Sequence, residues 1–417
     1  MSFKHRRTPK YHAFLEVLIN ECPLFILLLF TLVTLIAGCS GSNNASTPPV
    51  ERLQVSVAAN WSAYKSTHGL SEGGVAVYVE TPSGNYYASS GMPAGVDQYT
   101  RFRAGSNTKT FTAAAIMLLN QQGLLNIDDF ITSNIPFKGI PYIPETAAYN
   151  IPNKSTITIK QLLSHTAGVF DISNQVVPAT CTCPFAGQDY ITSVQTTDPT
   201  HQFSVDELVG VIATCQISYF VPSGGYHYSN AGYWLLCKII ERVSGMTYDQ
   251  YVMNNLLVPN RLLSTTVPML GTDQTIPAPF TPGYIFDGGV MTDVTLANES
   301  PSVASGNILS TPADLARWVR NLLTAQAGLN AASVAAMKTA TPQSGGNQYG
   351  LGIFYTAGLG YGHNGAVSGY LSNMMYDPIS DVTTIVYFNV WDLAHMNPDQ
   401  FALNVKIAKD AKAALGY

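Results

Sequence analysis

The sequence predicts an α/β fold in which an antiparallel sheet is flanked by helices and an all-helical subdomain is inserted into the chain. Strand patterns occur early, in "GVAVYVET" and "GNYYASSG", and late, in "YGLGIFYT", "GYLSNMMYD" and "DVTTIVYFNV". Most of the intervening chain carries helical patterns and long loops. One sheet built from both chain ends would make the helical middle an insertion. We therefore expect a sheet region at about residues 53–105 and 300–417, a helical subdomain at about 106–299, and a ligand cleft at their boundary.

The elements of the first half are predicted by apolar spacing and by capping residues. An amphipathic helix is expected around residues 51–66, followed by two strands joined by a Pro-Ser-Gly turn. A second helix is expected at about residues 106–118. In the middle of the chain, Thr158 and Ser204 are candidate N-caps, and Gly245 closes the helix of "NAGYWLLCKIIERVSG".

The second half is predicted in the same way. Ser310 or Thr311 caps the helix of "PADLARWVRNLL", and the sequence leaves the choice open. The late strands follow, and the chain ends in a helix over "PDQFALNVKIAKDAKAAL".

The composition restricts the class of function. Hydrophobic residues make up 46% of the 417 residues, which indicates a globular protein. Charged residues are only 11%, against roughly 25% in an average soluble chain. A net charge of -5 provides no basic surface for nucleic acid, so we expect no nucleic-acid partner.

The N-terminus predicts export. A basic start precedes the apolar run from Leu24 to Ala37, which is too short for a membrane span and typical of an export signal. The run ends in "LIAGCS", which resembles a bacterial lipobox whose Cys39 is lipidated; the alternative is an ordinary signal peptide with a coincidental cysteine. We expect a lipoprotein signal peptide at 1–39, a flexible tether at 40–52 and one folded domain at 53–417. The chain would be lipid-anchored to a bacterial cell envelope, in the outer membrane if there is one, because Ser40 follows the cysteine.

Four further cysteines remain after the predicted processing. In an oxidising compartment Cys181 or Cys183 can pair with Cys215, and the sequence leaves the choice open. Cys237 lies in an apolar helix pattern and is predicted to be a buried thiol. A C-x-C without a nearby His or second cysteine pair is a weak metal signal, so we expect no metal site and no cofactor.

Two Ser-x-x-Lys pairs compete as a nucleophile and its base. Ser106 and Lys109 open a predicted helix, where residues at i and i+3 share a face and free backbone N–H groups can stabilise an oxyanion. A lysine must have a depressed pKa to act as a base. Ser62 and Lys65 have the same spacing on an early polar helix face, without that setting.

Two distant segments favour the pair at Ser106. In "YHYSNAGYW", Tyr228 and Asn230 are two residues apart before a helix, so that Tyr228 can relay a proton and Asn230 can bind a substrate carbonyl. In "YGHNGAVSGY", His363 and Gly365 share one face of a strand, and glycine permits close approach of a substrate backbone. The N–H of Ala366 would join that of Ser106 in an oxyanion hole.

Together these segments resemble the serine penicillin-recognising hydrolases, in the branch of class C β-lactamases, D-alanyl-D-alanine carboxypeptidases and related esterases. Neighbouring branches carry S-x-x-K, S-D-N and K-T-G; this sequence has the Ser106 motif, then "YSN" at 228–230, then "HNG" at 363–365, in the family's order. "LLSHTAGVFD" and "GNILSTPADLARW" also look like family segments. The resemblance implies a β-lactamase/transpeptidase-like fold and acylation of Ser106 followed by hydrolysis. It also implies that Lys109 and Tyr228 share the proton transfer, with the sequence leaving open which of them is the general base, and that His165 is structural.

The residues of the third motif favour some substrate classes over others. Related β-lactamases have a lysine where His363 stands, so a carboxypeptidase acting on peptidoglycan peptides is placed first, and an esterase or other amide hydrolase second. A β-lactamase, or a penicillin-binding sensor without turnover, follows. No Lys or Arg occurs between Lys338 and Lys406, which leaves a substrate carboxylate without an evident partner; a cation from another loop and Ser368 are the two candidates. The expected partners are a peptidoglycan peptide, a β-lactam or a small acyl ester or amide, together with the membrane through the lipid anchor. We expect a monomer.

Overall fold

In a computed structural model of the protein, the structure describes residues 47–339, 341–342 and 348–417. The predicted signal peptide with Cys39, and the first part of the predicted tether, lie outside the described residues. Within the described ranges, no helix combines the length and the apolar character needed to cross a membrane.

Ten α-helices occur in the described part of the chain. They are α1 Pro49–His68, α2 Thr108–Gln121, α3 Ile159–Leu163, α4 Tyr190–Thr197, α5 Val205–Cys215, α6 Asn230–Ser244, α7 Tyr248–Val252, α8 Pro312–Leu323, α9 Ala331–Lys338 and α10 Phe401–Leu415.

The strands of the same ranges lie mainly at the two chain ends. They are β1 Val75–Thr81, β2 Gly84–Ser90, β3 Phe102–Arg103, β4 Tyr284–Asp287, β5 Val290–Asp293, β6 Leu309–Ser310, β7 Thr341–Pro342, β8 Gln348–Tyr349, β9 Phe354–Thr356, β10 Gly360–Val367, β11 Tyr370–Asp377, β12 Val382–Phe388 and β13 Val390–Asp392.

The main sheet joins the two ends of the chain. Its eight strands run in the order β2-β1-β12-β11-β10-β9-β8-β7, and neighbours are antiparallel. Strands β1 and β12 lie side by side, with Val75 opposite Phe388. The predicted antiparallel sheet from both ends, with helices around it, is confirmed.

Helices cover both faces of this sheet. Along β1, Val77 lies in an apolar cluster with Trp61 of α1 and Ile407 of α10. The next residue, Tyr78, lies in a second cluster with Trp318 of α8. Successive side chains of a strand point to opposite faces, so each face of β1 has its own core. The second core continues into the inserted helices and supports the start of α2, where Ser106 lies.

The inserted segment is not all-helical, which corrects the prediction for residues 106–299. Strands β4 and β5 form a hairpin inside it, and β13 pairs in parallel with β4. The turn contains Gly288 and Gly289, both with positive φ angles of 53° and 84°. An Asp-Gly-Gly between two apolar runs is a hairpin signal, which the dominance of helical patterns concealed.

Two predicted boundaries also shift. Helix α1 begins at Pro49, so the last residues of the predicted tether are helical; proline is well accommodated in a first helical turn because its missing N–H has no intrahelical partner there. The predicted strand "YGLGIFYT" is interrupted between β8 and β9. A Cβ at Gly350 would lie 2.0 Å from the carbonyl oxygen of Met337, so the chain turns where α9 approaches it.

The predicted caps are confirmed. The hydroxyl of Thr158 accepts a hydrogen bond from the N–H of Gln161, and that of Ser204 accepts one from Glu207. Gly245 ends α6 with a φ of 77°. Thr311, and not Ser310, is the N-cap of α8.

One disulfide resolves the open cysteine pairing. Cys183 is bonded to Cys215 at the end of α5. Cys181 is free and half-buried, and Cys237 is a buried free thiol, as predicted.

We expect Cys183→Ser to lower the free energy of unfolding by roughly 3 kcal/mol, because the bond closes a loop across 32 residues and restricts the unfolded chain. Denaturant unfolding without reductant measures this change. Cys181→Ser is the matched control and should shift stability by less than about 0.5 kcal/mol. Equal losses in the two variants would contradict the pairing.

Candidate active site

Ser106 lies in the short 3₁₀ helix Gly105–Asn107 that leads into α2. Gly105 has a φ of 57°, and a Cβ there would lie 2.8 Å from the backbone nitrogen of Ala366 in β10. Glycine therefore lets the turn at Ser106 press against β10. Ser106 and Ala366 both line a cleft of about 350 Å³, which is the arrangement that the predicted oxyanion hole requires.

Lys109 follows Ser106 by one helical turn and is fully buried. Its Nζ lies 3.2 Å from Ser106 Oγ, 2.6 Å from Asn230 Oδ1 and 2.8 Å from the carbonyl oxygen of Ser305. Burial lowers the pKa of Lys109 to about 7, although the nearby Asp171 carboxyl opposes the shift. A substantial fraction of this amine is therefore neutral at pH 7.

The contacts of Nζ suit a neutral amine. Such an amine has two N–H donors and one lone pair, and the oxygens of Asn230 and Ser305 can only accept. When they take both N–H groups, the lone pair remains for the third neighbour, the Ser106 hydroxyl. The arrangement can accept the Ser106 proton.

Asn230 is held in this orientation by two residues that the sequence reasoning missed. Asp171 is fully buried, and its carboxylate accepts hydrogen bonds from the Ser173 hydroxyl at 2.6 Å and from the Asn230 N–H at 2.7 Å. The Asn230 amide nitrogen donates to Ser173 Oγ at 2.9 Å, which directs its oxygen to Lys109. The signal in the sequence was the Asp-x-Ser pattern after "SHTAGVF", since aspartate accepts bonds from residues two positions on.

Tyr228 lies over the same lysine, with its ring centre 4.7 Å from Lys109 Nζ. Burial raises the pKa of Tyr228 well above its usual range, although a hydrogen bond with Ser106 opposes the shift. The phenol therefore stays protonated and can donate. Asn230, predicted to lie in the extended segment with Tyr228, is instead the first residue of α6.

His165 supports the Tyr228 segment. It is buried, its Nδ1 accepts a hydrogen bond from the N–H of Ser229 at 3.1 Å, and its ring centre lies 4.3 Å from that of Tyr228. Burial and the charge of Lys109 lower the pKa of His165 well below its usual range. A neutral, packed imidazole agrees with the structural role predicted for it.

His363 and Gly365, which were predicted to contact the substrate, are not among the residues that line the cleft. His363 is buried, with Nδ1 2.5 Å from the Asn364 carbonyl oxygen and Nε2 2.9 Å from the Tyr349 hydroxyl. Burial and Lys109 lower the pKa of His363 to about 3, so the ring is neutral. A Cβ at Gly365 would lie 2.0 Å from the Ala104 carbonyl oxygen. This glycine admits the chain beside Ser106, not a substrate.

The competing pair lies apart from this site. Ser62 is exposed on α1, and Lys65 Nζ donates to the carbonyl oxygen of Ser71 at 3.0 Å. Neither residue lines the cleft.

The cleft walls carry very little charge. Among the described residues that line it there is no Lys, Arg or His, and Glu299 is its one ionisable side chain. Polar groups from Ser106, Asn230 and Ser305 face apolar side chains such as Ile285 and Trp391. The described walls therefore contain no cation for a substrate carboxylate.

Comparison with known proteins assigns this architecture. Residues 67–409 match the family model described as "Beta-lactamase". The chain belongs to the beta-lactamase family. This membership makes it a member of the serine hydrolase superfamily of penicillin-binding proteins and β-lactamases, as the three motifs predicted.

Individual relatives share parts of the chain or its fold. Protein flp of Staphylococcus aureus is 34% identical over 170 residues, which are 40% of this chain and 28% of that protein. Penicillin-binding protein 4* of Bacillus subtilis is 31% identical over 168 residues, 40% of this chain and 30% of that protein. The chain thus matches less than a third of the length of these relatives. The crystal structure of a D-stereospecific amidohydrolase from Streptomyces sp. has a TM-score of 0.71 and 23% identity, and the match covers 87% of this chain and 98% of that one. This likeness shows the β-lactamase/transpeptidase-like fold.

Proposed function

We propose that the protein hydrolyses amide or ester bonds through an acyl-enzyme at Ser106, and that its substrates lack a carboxylate next to the scissile bond. The observation that carries the proposal is the buried Lys109 amine, held by two acceptors and 3.2 Å from the Ser106 hydroxyl.

The first step is acylation. Ser106 Oγ attacks the substrate carbonyl carbon and its proton passes to the neutral Lys109 amine. The N–H groups of Ser106 and Ala366 stabilise the oxyanion. Because the pKa of Tyr228 is raised, Tyr228 serves as a donor that relays a proton to the leaving nitrogen or oxygen, and Lys109 serves as the base.

The second step is deacylation. Water attacks the acyl carbon, the neutral Lys109 amine takes up the proton of the water, and this proton returns to Ser106 Oγ as the bond between Oγ and the acyl carbon breaks. The acid product departs and the lysine is again neutral.

The lack of a cationic side chain among the described lining residues favours an amidase or esterase over the carboxypeptidase that the sequence ranked first. A terminal carboxylate would lose its water without gaining a cationic partner among the described lining residues. The name of the Streptomyces neighbour, an amidohydrolase, agrees with this choice. A D-alanyl-D-alanine carboxypeptidase remains the second candidate, favoured by the partial match to penicillin-binding protein 4*.

We also propose that the enzyme acts at the bacterial cell envelope, exported and anchored through a lipid on Cys39. The basic start, the apolar run and "LIAGCS" support this location.

The substrate class is tested with two peptides that differ in one group: one ends in D-Ala-D-Ala with a free carboxylate, and the other ends in its amide. We expect kcat/KM to be at least roughly tenfold higher for the amide, because the carboxylate has no cation to bind. Amine release measured by mass spectrometry covers cleavage at either amide bond, and Ser106→Ala gives the background. A clear preference for the free carboxylate would instead establish the carboxypeptidase.

A further inference from the structure

Glu299 lines the cleft and has a carboxylate oxygen without a hydrogen-bond partner. The residue precedes the 3₁₀ helix Ser300–Ser302, is only 5% exposed and lines the same cleft as Ser106. Its Oε1 is buried and has no hydrogen-bond partner in the described structure. No ion pair between described residues includes this side chain.

The side chains beside Glu299 bond elsewhere. Asn298 donates to the carbonyl oxygen of His201 at 2.8 Å and accepts from the Ser300 hydroxyl at 2.7 Å. The loop before it is fixed by buried Arg103, whose Nη2 donates to the carbonyl oxygens of Gln274, Thr295 and Ala297. Arg103 forms no ion pair with Glu299 and does not line the cleft. The loop is thus held by other side chains, and Oε1 of Glu299 is left without a partner in a residue that lines the cleft.

The chemistry of this wall selects a cationic ligand. A buried carboxylate with an unsatisfied oxygen is unfavourable, and an ammonium group supplies both the missing charge and the missing donors. The apolar side chains of Ile285, Val294, Leu296 and Trp391 line the same cleft. A ligand that matches the wall carries an ammonium group together with an apolar group.

We propose that Glu299 binds an ammonium group on the acyl portion of the substrate, so that the enzyme selects amides or esters of amino acids with a free amine. The inference rests on the proposed acyl-enzyme function. The amine is either the α-amine of an unblocked residue or a side-chain amine, and both sources present the same charged donor to the carboxylate.

Three chromogenic 4-nitroanilides test the proposal: those of D-phenylalanine, of 3-phenylpropanoic acid and of Nα-acetyl-D-lysine. The first carries an α-amine, the second carries no amine and the third carries a side-chain amine. We expect kcat/KM of at least one amine substrate to exceed that of the neutral one. Glu299→Gln should reduce this ratio roughly 10- to 100-fold, the range for losing a hydrogen bond to a charged group. The amine substrate that shows the Glu299-dependent preference identifies the source.

Two variants control for indirect effects. Glu145→Gln removes a carboxylate from an exposed position outside the cleft and should leave the ratio unchanged. Glu299→Asp keeps the charge and should retain part of the preference. A thermal melting curve verifies that each variant is folded.

Failure of the inference can be told apart from failure of the proposed function. If folded Glu299→Gln keeps the wild-type ratios, or if wild type shows no preference for either amine while it still hydrolyses the neutral substrate through Ser106, the role of Glu299 is refuted alone. If wild type shows no Ser106-dependent hydrolysis of these anilides or of 4-nitrophenyl acetate, the proposed function fails and the inference with it.

Discussion

Replacing Ser106 by Ala is expected to lower kcat/KM by on the order of 10⁴-fold or more on every substrate that the wild-type protein hydrolyses. The hydroxyl oxygen is the atom that becomes acylated, and it lies 3.2 Å from Lys109 Nζ, which also donates to the Asn230 side-chain oxygen and the Ser305 carbonyl oxygen. Removing the Oγ leaves the cleft and the oxyanion donors in place, so the loss reports chemistry and not substrate binding. Steady-state hydrolysis of 4-nitrophenyl acetate and of the anilides measures it.

The matched control is Ser62→Ala. Ser62 has the same spacing to a lysine, but it is exposed on α1 and lies outside the cleft. We expect its rates to stay within about twofold of wild type, as for an ordinary surface substitution. A large loss in Ser62→Ala together with normal rates in Ser106→Ala would overturn the site assignment.

Replacing Lys109 by Met is expected to lower kcat/KM by roughly 10²- to 10⁴-fold, the usual contribution of a general base. Methionine has similar volume but cannot accept the Ser106 proton. The matched control is Lys65→Met, whose ammonium donates to the carbonyl oxygen of Ser71 far from the cleft. Comparable losses in the two variants would argue against Lys109 as the base.

The pH dependence of kcat/KM tests independently whether Lys109 is the base. Because burial lowers its pKa to about 7, the amine is protonated at lower pH and cannot accept a proton. We expect kcat/KM of wild type to rise about tenfold per pH unit below pH 7 and to level off above it. Titration of His363 cannot cause this rise, since the pKa of His363 is lowered to about 3. This rise of kcat/KM with pH should be absent from Lys109→Met. If the rise persists in that variant, the titration of another group causes it.

The sequence predicted the sheet and the caps because these depend on local patterns. Alternating or continuous apolar runs identified β1, β2, β11 and β12, and Thr158, Ser204 and Gly245 marked helix ends by their own side-chain chemistry. The hairpin of β4 and β5 was missed because it is short and surrounded by stronger helical patterns.

In the site, spacing located the residues that meet but not all their neighbours. Ser106, Lys109 and Asn230 come together as predicted. The i,i+3 spacing places Ser106 and Lys109 on one side of the start of α2, and Asn230 lies at the start of α6. Asp171 and Ser173 orient Asn230 from a loop that is distant in sequence. The spacing of residues along the chain does not predict a contact of this kind. For the same reason, the sequence did not predict that His363 is buried and hydrogen-bonded to the Tyr349 hydroxyl.

The sequence predicted a cleft at the boundary of the sheet region and the helical segment, but not most of the residues that form its walls. Its apolar wall comes from β4 and β13 and the segments around them, and Glu299 reaches it from a loop without a motif. The absence of Lys and Arg between residues 338 and 406 agrees with the lack of a cationic side chain among the described residues that line the cleft.

The central claim, an acyl-enzyme at Ser106, is tested most directly by acid quenching of the reaction with 4-nitrophenyl acetate, followed by tryptic digestion and tandem mass spectrometry. Cleavage after Arg103 and Lys109 yields peptide 104–109 with Ser106 as its one serine, and cleavage after Arg52 and Lys65 yields peptide 53–65, in which the fragment spectrum distinguishes Ser62 from Ser56. We predict an acetyl group on Ser106 in peptide 104–109. An acetyl group on peptide 53–65 instead, or turnover with no acetylated Ser106 at any quench time, would contradict the account.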